Sequence, residues 1–175
     1  MASLGHVAVG MMAARLRHTD GNTRALLQSM VGWSALSLAP DLDVIAFKLG
    51  IPYAAPFGHR GASHAFLTAV LVGPLVALLL RTSGARFWNT TLTASAVLAS
   101  HGLLDMLTDG GLGVAWWWPF SSERHFLPVR PIPVAPMGRS FLSSRGMMVA
   151  ATELVMFAPL FLYALWPRKK ALRAA

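Results

Sequence analysis

The sequence predicts an all-α fold, a polytopic membrane helix bundle of four to five transmembrane helices with a metal-type pocket near one membrane face. Three observations lead there. Of the 175 residues, 55% are hydrophobic and only 13% charged, far from the soluble average. The apolar residues gather in runs long enough to cross a bilayer, a medium that excludes open sheets. Most of the histidines and aspartates lie inside or at the edges of those runs instead of between them.

The runs set the elements. Residues 25–47, 61–80, 88–107 and 146–166 each supply the roughly 20 apolar positions that a crossing helix needs. Residues 1–16 are short for a span and read as a tilted or re-entrant helix. Nothing basic precedes that first run, so no cleavable signal peptide is expected. The chain 1–175 reads as a single integral membrane domain, with one long connection at 109–145. That connection opens with Trp116, Trp117 and Trp118 and carries Pro128, Pro131, Pro133 and Pro136. Tryptophan favours the headgroup level and proline an extended path, so a lid lying on the membrane surface is expected.

The formal charge of +8 does not point to nucleic acid, because the basic residues cluster at the ends of the apolar runs, as topology signals do. With the tail inside, Arg15, Arg17, Arg24, Arg81, Arg86, Arg168, Lys169, Lys170 and Arg173 face the cytoplasm. Lys48, Arg60, Arg124, Arg130, Arg139 and Arg145 face out, four of them spread along the long connection. The C-terminus is therefore expected to be cytoplasmic, with the 109–145 loop on the periplasmic or outer side.

Ionisable groups within membrane segments cost about 2.5–3.5 kcal/mol each at a helix centre and usually mark function. This chain has only seven acidic residues, yet Asp41, Asp43, Asp105 and Glu153 fall in or beside the apolar runs, as do His6, His59, His64 and His101. With no cysteine in the chain, any metal must be held by His, Asp, Glu and water.

In HGLLDMLTDGG, His101 and Asp105 are four residues apart and Thr108 follows, placing all three on one helical face that can grip a cation. The plainer reading is a His–Asp pair that fixes helix packing. In GHRGASH, His59 and His64 would point about 140° apart on one helix, so His59 and Arg60 are expected in a turn and His64 in the first turn of the next helix. Arg60 is then free to clamp an anion, or serves only as a topology signal. In APDLD, Asp41 and Asp43 are too close to stay ionised cheaply without a cation, and Pro40 predicts a kinked or unwound segment. The alternative there is a helix end emerging into water. His6 and Glu153 are weaker, since a lone His is commonly a packing residue and a lone Glu can simply favour a helix dipole. In the orientation above, all eight groups fall toward the outer ends of their helices, where one pocket can unite them.

Taken in series from His6 to Pro128, the N-terminal GH, the PDLD, GHRGASH and HGLLDMLTDGG motifs, followed by WWWPF and HFLP, resemble the bacterial family of LexA-regulated, inner-membrane-associated, predicted metal-dependent hydrolases. That family is distantly similar to zinc-dependent phospholipase C. The resemblance implies an inner-membrane location and a metal centre with His6, Asp41, His64, His101 and Asp105 as ligands. It implies Asp43, His59 and Glu153 as further ligands or as acid and base. Zinc is the first expectation for the cofactor, and mixed His and carboxylate sites also accept manganese or iron.

The expected function is a metal-dependent phosphodiesterase or phosphatase acting on a phospholipid or other membrane-delivered phosphoester, with Arg60 and Thr108 meeting the substrate. The rivals are a metal or proton carrier and a structural protein braced by its metal. A carrier should continue its polar residues to the inner helix ends. Instead, stretches such as 75–80 and 157–165 are apolar there.

Overall fold

The computed structural model describes residues 3–18, 22–136 and 138–167. Arg168, Lys169, Lys170 and Arg173, which carry part of the orientation reading, and the start of the 1–16 run lie outside the described residues. The described residues are helical, with two isolated bridges and no strand. In order the helices are α1 (Ser3–Arg17), α2 (Thr23–Leu38), α3 (Ile45–Lys48), α4 (Phe66–Leu79), α5 (Gly84–Met106), α6 (Ser144–Met156) and α7 (Ala158–Leu165). Short 3₁₀ turns stand at Ala39–Val44, Ala62–His64 and Gly138–Leu142.

Two helical hairpins organise the bundle, α1 with α2 and α4 with α5. Asn22 starts α2 by accepting the amide protons of Arg24 and Ala25 at 3.1 and 3.2 Å, satisfying donors that a helix start leaves open. The α1–α2 contact depends on a small residue. A Cβ at Gly10 would lie 2.4 Å from Ser34 Cα, so only glycine lets the two backbones approach this closely. Ser34 Oγ then donates to the Val7 carbonyl at 3.2 Å across the same contact.

Small residues fill much of the interior and large apolar side chains cover much of the surface. Alanines such as Ala8, Ala14, Ala69, Ala77, Ala94 and Ala164 fill the interior, whereas Leu75, Leu78, Leu79, Val155, Leu162 and Leu165 are each more than half exposed. Exposed apolar surface on that scale is normal only where a partner or lipid covers it. Buried against the alanines are charged and polar groups: His6, Arg60, His64, His101, Asp105 and Glu153.

By length and composition, one continuous helical stretch is fit to cross a membrane, Thr23–Lys48, which runs through α2, the 3₁₀ turn at Pro40 and α3. A second qualifies if α6 and α7 are taken as one span broken by 63°. The runs at 61–80 and 1–16 become shorter helices. The first begins only at Phe66, because residues 62–64 form a separate 3₁₀ turn, and its 14 residues cover about 21 Å. Helix α1 has 15 residues. Helix α5, with 23, is long enough but carries Asn89, Thr90, Thr91, Thr93, Ser95 and Ser100, too polar for a simple span. Among the described residues the fold is all-helical, with one or two candidate spans.

The 109–145 connection is more closely tied to the bundle than a lid resting on lipid. Ile132 pairs with both sides of the α5 end, donating to the Leu107 carbonyl at 3.2 Å and accepting from the Asp109 amide at 2.9 Å. Leu127 donates to the Met106 carbonyl, Ala115 to the Arg60 carbonyl, and Phe66 to the Trp116 carbonyl. Val114, Ala115 and Ile132 of this connection are themselves buried. Trp116 tilts against Phe66 at 5.5 Å and Trp118 stands edge-on to Phe57, so these two rings serve packing. Trp117 is 55% exposed.

Candidate metal centre

One end of the bundle collects the start of α1, the 3₁₀ turn after α2, the turn before α4 and the end of α5. Each brings a histidine or an aspartate. Asp41, His64, His101 and Asp105 place ligand atoms within 4.8 Å of one another, and all four side chains are buried. The two imidazole Nε2 atoms are 3.0 Å apart. Asp41 Oδ1 is 3.5 Å from each, and Asp105 Oδ2 is 3.4 Å from His64 and 3.9 Å from His101.

The hydrogen bonds behind these atoms decide what the cluster needs. His101 Nδ1 lies 2.7 Å from the Ser37 carbonyl, which can only accept, so Nδ1 carries the proton and the neutral ring presents a lone pair at Nε2. On His64, Nδ1 faces Asp43 Oδ2 at 3.2 Å and Ser63 Oγ at 2.9 Å. The Ser63 hydroxyl itself donates to Asp43 Oδ2 at 2.5 Å, so His64 Nδ1 is again the donor and Nε2 the lone pair. Two lone pairs and two carboxylate oxygens thus converge on one point. A proton on one nitrogen would satisfy that pair alone. Asp41, whose oxygens have no hydrogen-bond partner although the side chain is only 7% exposed, would still lack one. A divalent cation satisfies all four together. Tetrahedral coordination with zinc-like bonds gives ligand-to-ligand edges of about 3.3 Å, and the five separations above scatter about that length. The donor set fits a metal ion.

His6 lies against the other side of Asp105. Its ring stacks on His101 with centroids 3.7 Å apart, and its Nε2 is 3.6 Å from Asp105 Oδ1, so it stands outside the group of four.

Asp43, His59 and the second nitrogen of His64 form an adjoining cluster. His59 Nδ1 is 2.6 Å from Asp43 Oδ1, and the edge of its ring meets Tyr53 at 5.2 Å. Asp43 Oδ2 also accepts from the Arg60 amide at 3.1 Å. With both oxygens holding donors, Asp43 is placed to orient His59.

Arg60 sits in the turn between Gly58 and Gly61, as the GHRG spacing led one to expect, but it is not free. It is 1% exposed, its Nε lies 2.9 Å from Asp105 Oδ2, and its Nη1 donates to the Gly110 carbonyl at 2.9 Å. Its backbone has φ 61°, a left-handed conformation that costs a non-glycine residue about 1–2 kcal/mol. Such strain persists where surrounding contacts over-determine it, commonly at functional sites.

Three other expectations change with the geometry. Thr108 is not on the helical face of His101 and Asp105, because α5 ends at Met106. Its hydroxyl donates to the Asp105 carbonyl at 2.7 Å, so it closes the helix end instead of facing a substrate. Glu153 is buried, yet it belongs to neither cluster. Its Oε2 accepts from the Leu4 and Gly5 amides at 2.6 and 3.2 Å, fixing the start of α1 just ahead of His6. His64 closes its own 3₁₀ turn, two residues before α4 begins, not the first turn of that helix.

Two supports had no clear signal in the sequence. Arg124 reaches from the long connection to the carbonyls of Tyr53, Ala55, His59 and Gly113, clamping the loop that carries His59. Burial holds its guanidinium below the ordinary value and pushes the neighbouring Tyr53 phenol above its own. Gly102 lets the His64 turn approach α5, since a Cβ there would lie 2.6 Å from the His64 carbonyl oxygen and 2.9 Å from the Trp116 ring.

The sequence model of the family described as YdjM inner membrane protein matches residues 1–171. The chain belongs to that family. It is also 40% identical over 126 residues to the inner membrane protein YbcI of Escherichia coli (strain K12), an alignment covering 69% of this chain and 70% of that protein. No solved structure matches. Membership in the YdjM inner membrane protein family explains the exposed leucines as lipid-facing and supports an inner-membrane location.

Proposed function

We propose that this member of the YdjM family is a membrane-bound, zinc-dependent hydrolase of phosphoesters, with a phospholipid or another membrane-delivered phosphoester as substrate. The observation that supports it most is the convergence of four acceptor atoms, from His64, His101, Asp41 and Asp105, beside a His–Asp pair. The first four residues would hold the ion. When bound, it supplies Lewis acidity and a water that ionises near neutral pH. Asp43 fixes the His59 tautomer through Nδ1, which leaves Nε2 able to accept and return a proton, the task of a general acid–base. Arg60 neutralises Asp105 and so would hold that ligand in place.

The test is hydrolysis of phospholipid and simple phosphoester substrates by purified full-length protein loaded with zinc. His59→Gln should lower turnover on the order of 10²-fold or more while leaving bound metal in place. Equal activity in that variant would remove His59 from the reaction.

A second reading is favoured by the burial of the site: the side chains of His6, His101 and Asp105 are fully buried. An ion so enclosed would serve as a brace for the bundle, and stable metal binding without hydrolysis of any substrate would select that reading.

The same proposal includes four or five membrane crossings, with the metal centre toward the periplasm and the C-terminus in the cytoplasm. Reporters fused after residue 175 should read cytoplasmic and tags near Pro133 should be reachable from outside. The reverse pattern would invert the site's location.

A further inference from the structure

We propose that the end of the bundle opposite the metal centre carries a second site, which binds the phosphodiester headgroup of an anionic phospholipid. A cavity of about 540 Å³ opens there between the last turn of α1 and the first turns of α5, lined by Leu16, Arg17, Arg86, Asn89, Leu92 and Thr93. It stands about 13 residues, or about 20 Å along α5, from His101 and Asp105, so it is distinct from the metal centre.

Two arginines line this cavity and none of the described residues lining it is acidic. Arg17 is locked in place by neutral partners. Its Nη1 donates to the Asn89 carbonyl at 2.9 Å and to Thr93 Oγ1 at 3.0 Å, its Nη2 donates to Thr90 Oγ1 at 2.7 Å, and its guanidinium lies 5.4 Å from the Trp33 ring centre. Each partner orients the cation and none cancels its charge. Arg86 is exposed at the same opening. Two like charges held together in this way repel until an anion lies between them, and guanidinium geometry matches phosphate oxygens.

The rim points to a lipid as the source of that phosphate. Leu16 is 58% exposed and Leu92 is 66% exposed on the cavity's walls, and Trp88, 64% exposed, projects from the same helix as an interfacial aromatic would. A soluble anion has no use for such walls, whereas acyl chains beside the phosphate do. The neighbouring cavity of about 210 Å³, lined by Arg15, Leu162, Tyr163 and Trp166, offers no equivalent site, because it holds one arginine, itself buried, in place of a pair.

The test is native mass spectrometry of the full-length protein in detergent with equal amounts of phosphatidylglycerol and phosphatidylcholine. Wild-type protein should retain phosphatidylglycerol preferentially, and millimolar inorganic phosphate should not displace it. Arg86→Gln, an exposed position that leaves the fold intact, should lower that preference about fivefold, the effect of one basic residue at an anionic surface. Arg24→Gln, an exposed arginine outside the cavity, should leave the preference unchanged. Equal retention of the two lipids, an unchanged preference in Arg86→Gln, or an equal loss in Arg24→Gln would overturn the proposal. Displacement by phosphate would do so too, by assigning the cavity to a soluble anion.

Discussion

Replacing Asp105 by asparagine should lower metal affinity by at least two orders of magnitude and remove hydrolysis with it. The substitution keeps the shape of the side chain and takes away the charge. Asp105 Oδ2 lies 3.4 Å from His64 Nε2 and 2.9 Å from Arg60 Nε, so one carboxylate serves both the ion and the guanidinium. Losing a group that merely supports a ligand costs 10–100-fold in affinity, and a ligand itself should cost more. Metal titration against a competing chelator, with turnover measured on the same samples, reads both effects. Full metal affinity in Asp105→Asn would take this residue out of the centre, and retained activity without metal would detach the chemistry from it.

Arg60→Met should destabilise the metal-free protein by about 3–5 kcal/mol, the cost of breaking one half of a buried ion pair. Arg60 is 1% exposed and its partner Asp105 is fully buried, so water cannot take over the lost contact. The direction of rescue is informative. Added zinc should recover a large part of the loss, because the cation then supplies the charge that Arg60 had supplied to Asp105. Thermal unfolding in detergent, with and without zinc, gives the comparison. An arginine acting only as a topology signal would change stability by less than about 1 kcal/mol and show no dependence on metal.

The helices and the cluster were legible in the sequence for a common reason. Charged groups are expensive in apolar segments, so their positions stand out: Asp41, His64, His101 and Asp105 meet in space although they belong to separate motifs. The break at Pro40 was legible from the proline, and the 3₁₀ turn at Ala39–Val44 lies there.

Periodicity misled at Thr108. The i, i+3, i+4 pattern extends past Met106, where the helix stops, although Gly110 and Gly111, four and five residues later, were the stop signal. At 61–80 the apolar run conceals the 3₁₀ turn at Ala62–His64, so the helix itself begins only at Phe66. Glu153 gave no basis for choosing between chemistry and structure, since its partners are backbone amides of a helix 148 residues away. Arg124 was beyond reach for the same reason. Its partners are carbonyls, which every residue possesses and no side-chain pattern encodes.

The central claim is that four side chains from separate segments hold one ion, and metal analysis combined with X-ray absorption of the full-length protein purified from membranes tests it most directly. The account expects close to one divalent ion per chain. Its shell should contain two imidazoles and carboxylate oxygens at about 2.0–2.2 Å, with the ion lost in His101→Ala. Protein that carries no metal after purification, takes none up when zinc is added and keeps its thermal stability in chelator would contradict it, leaving His64, His101, Asp41 and Asp105 as a proton-linked packing network.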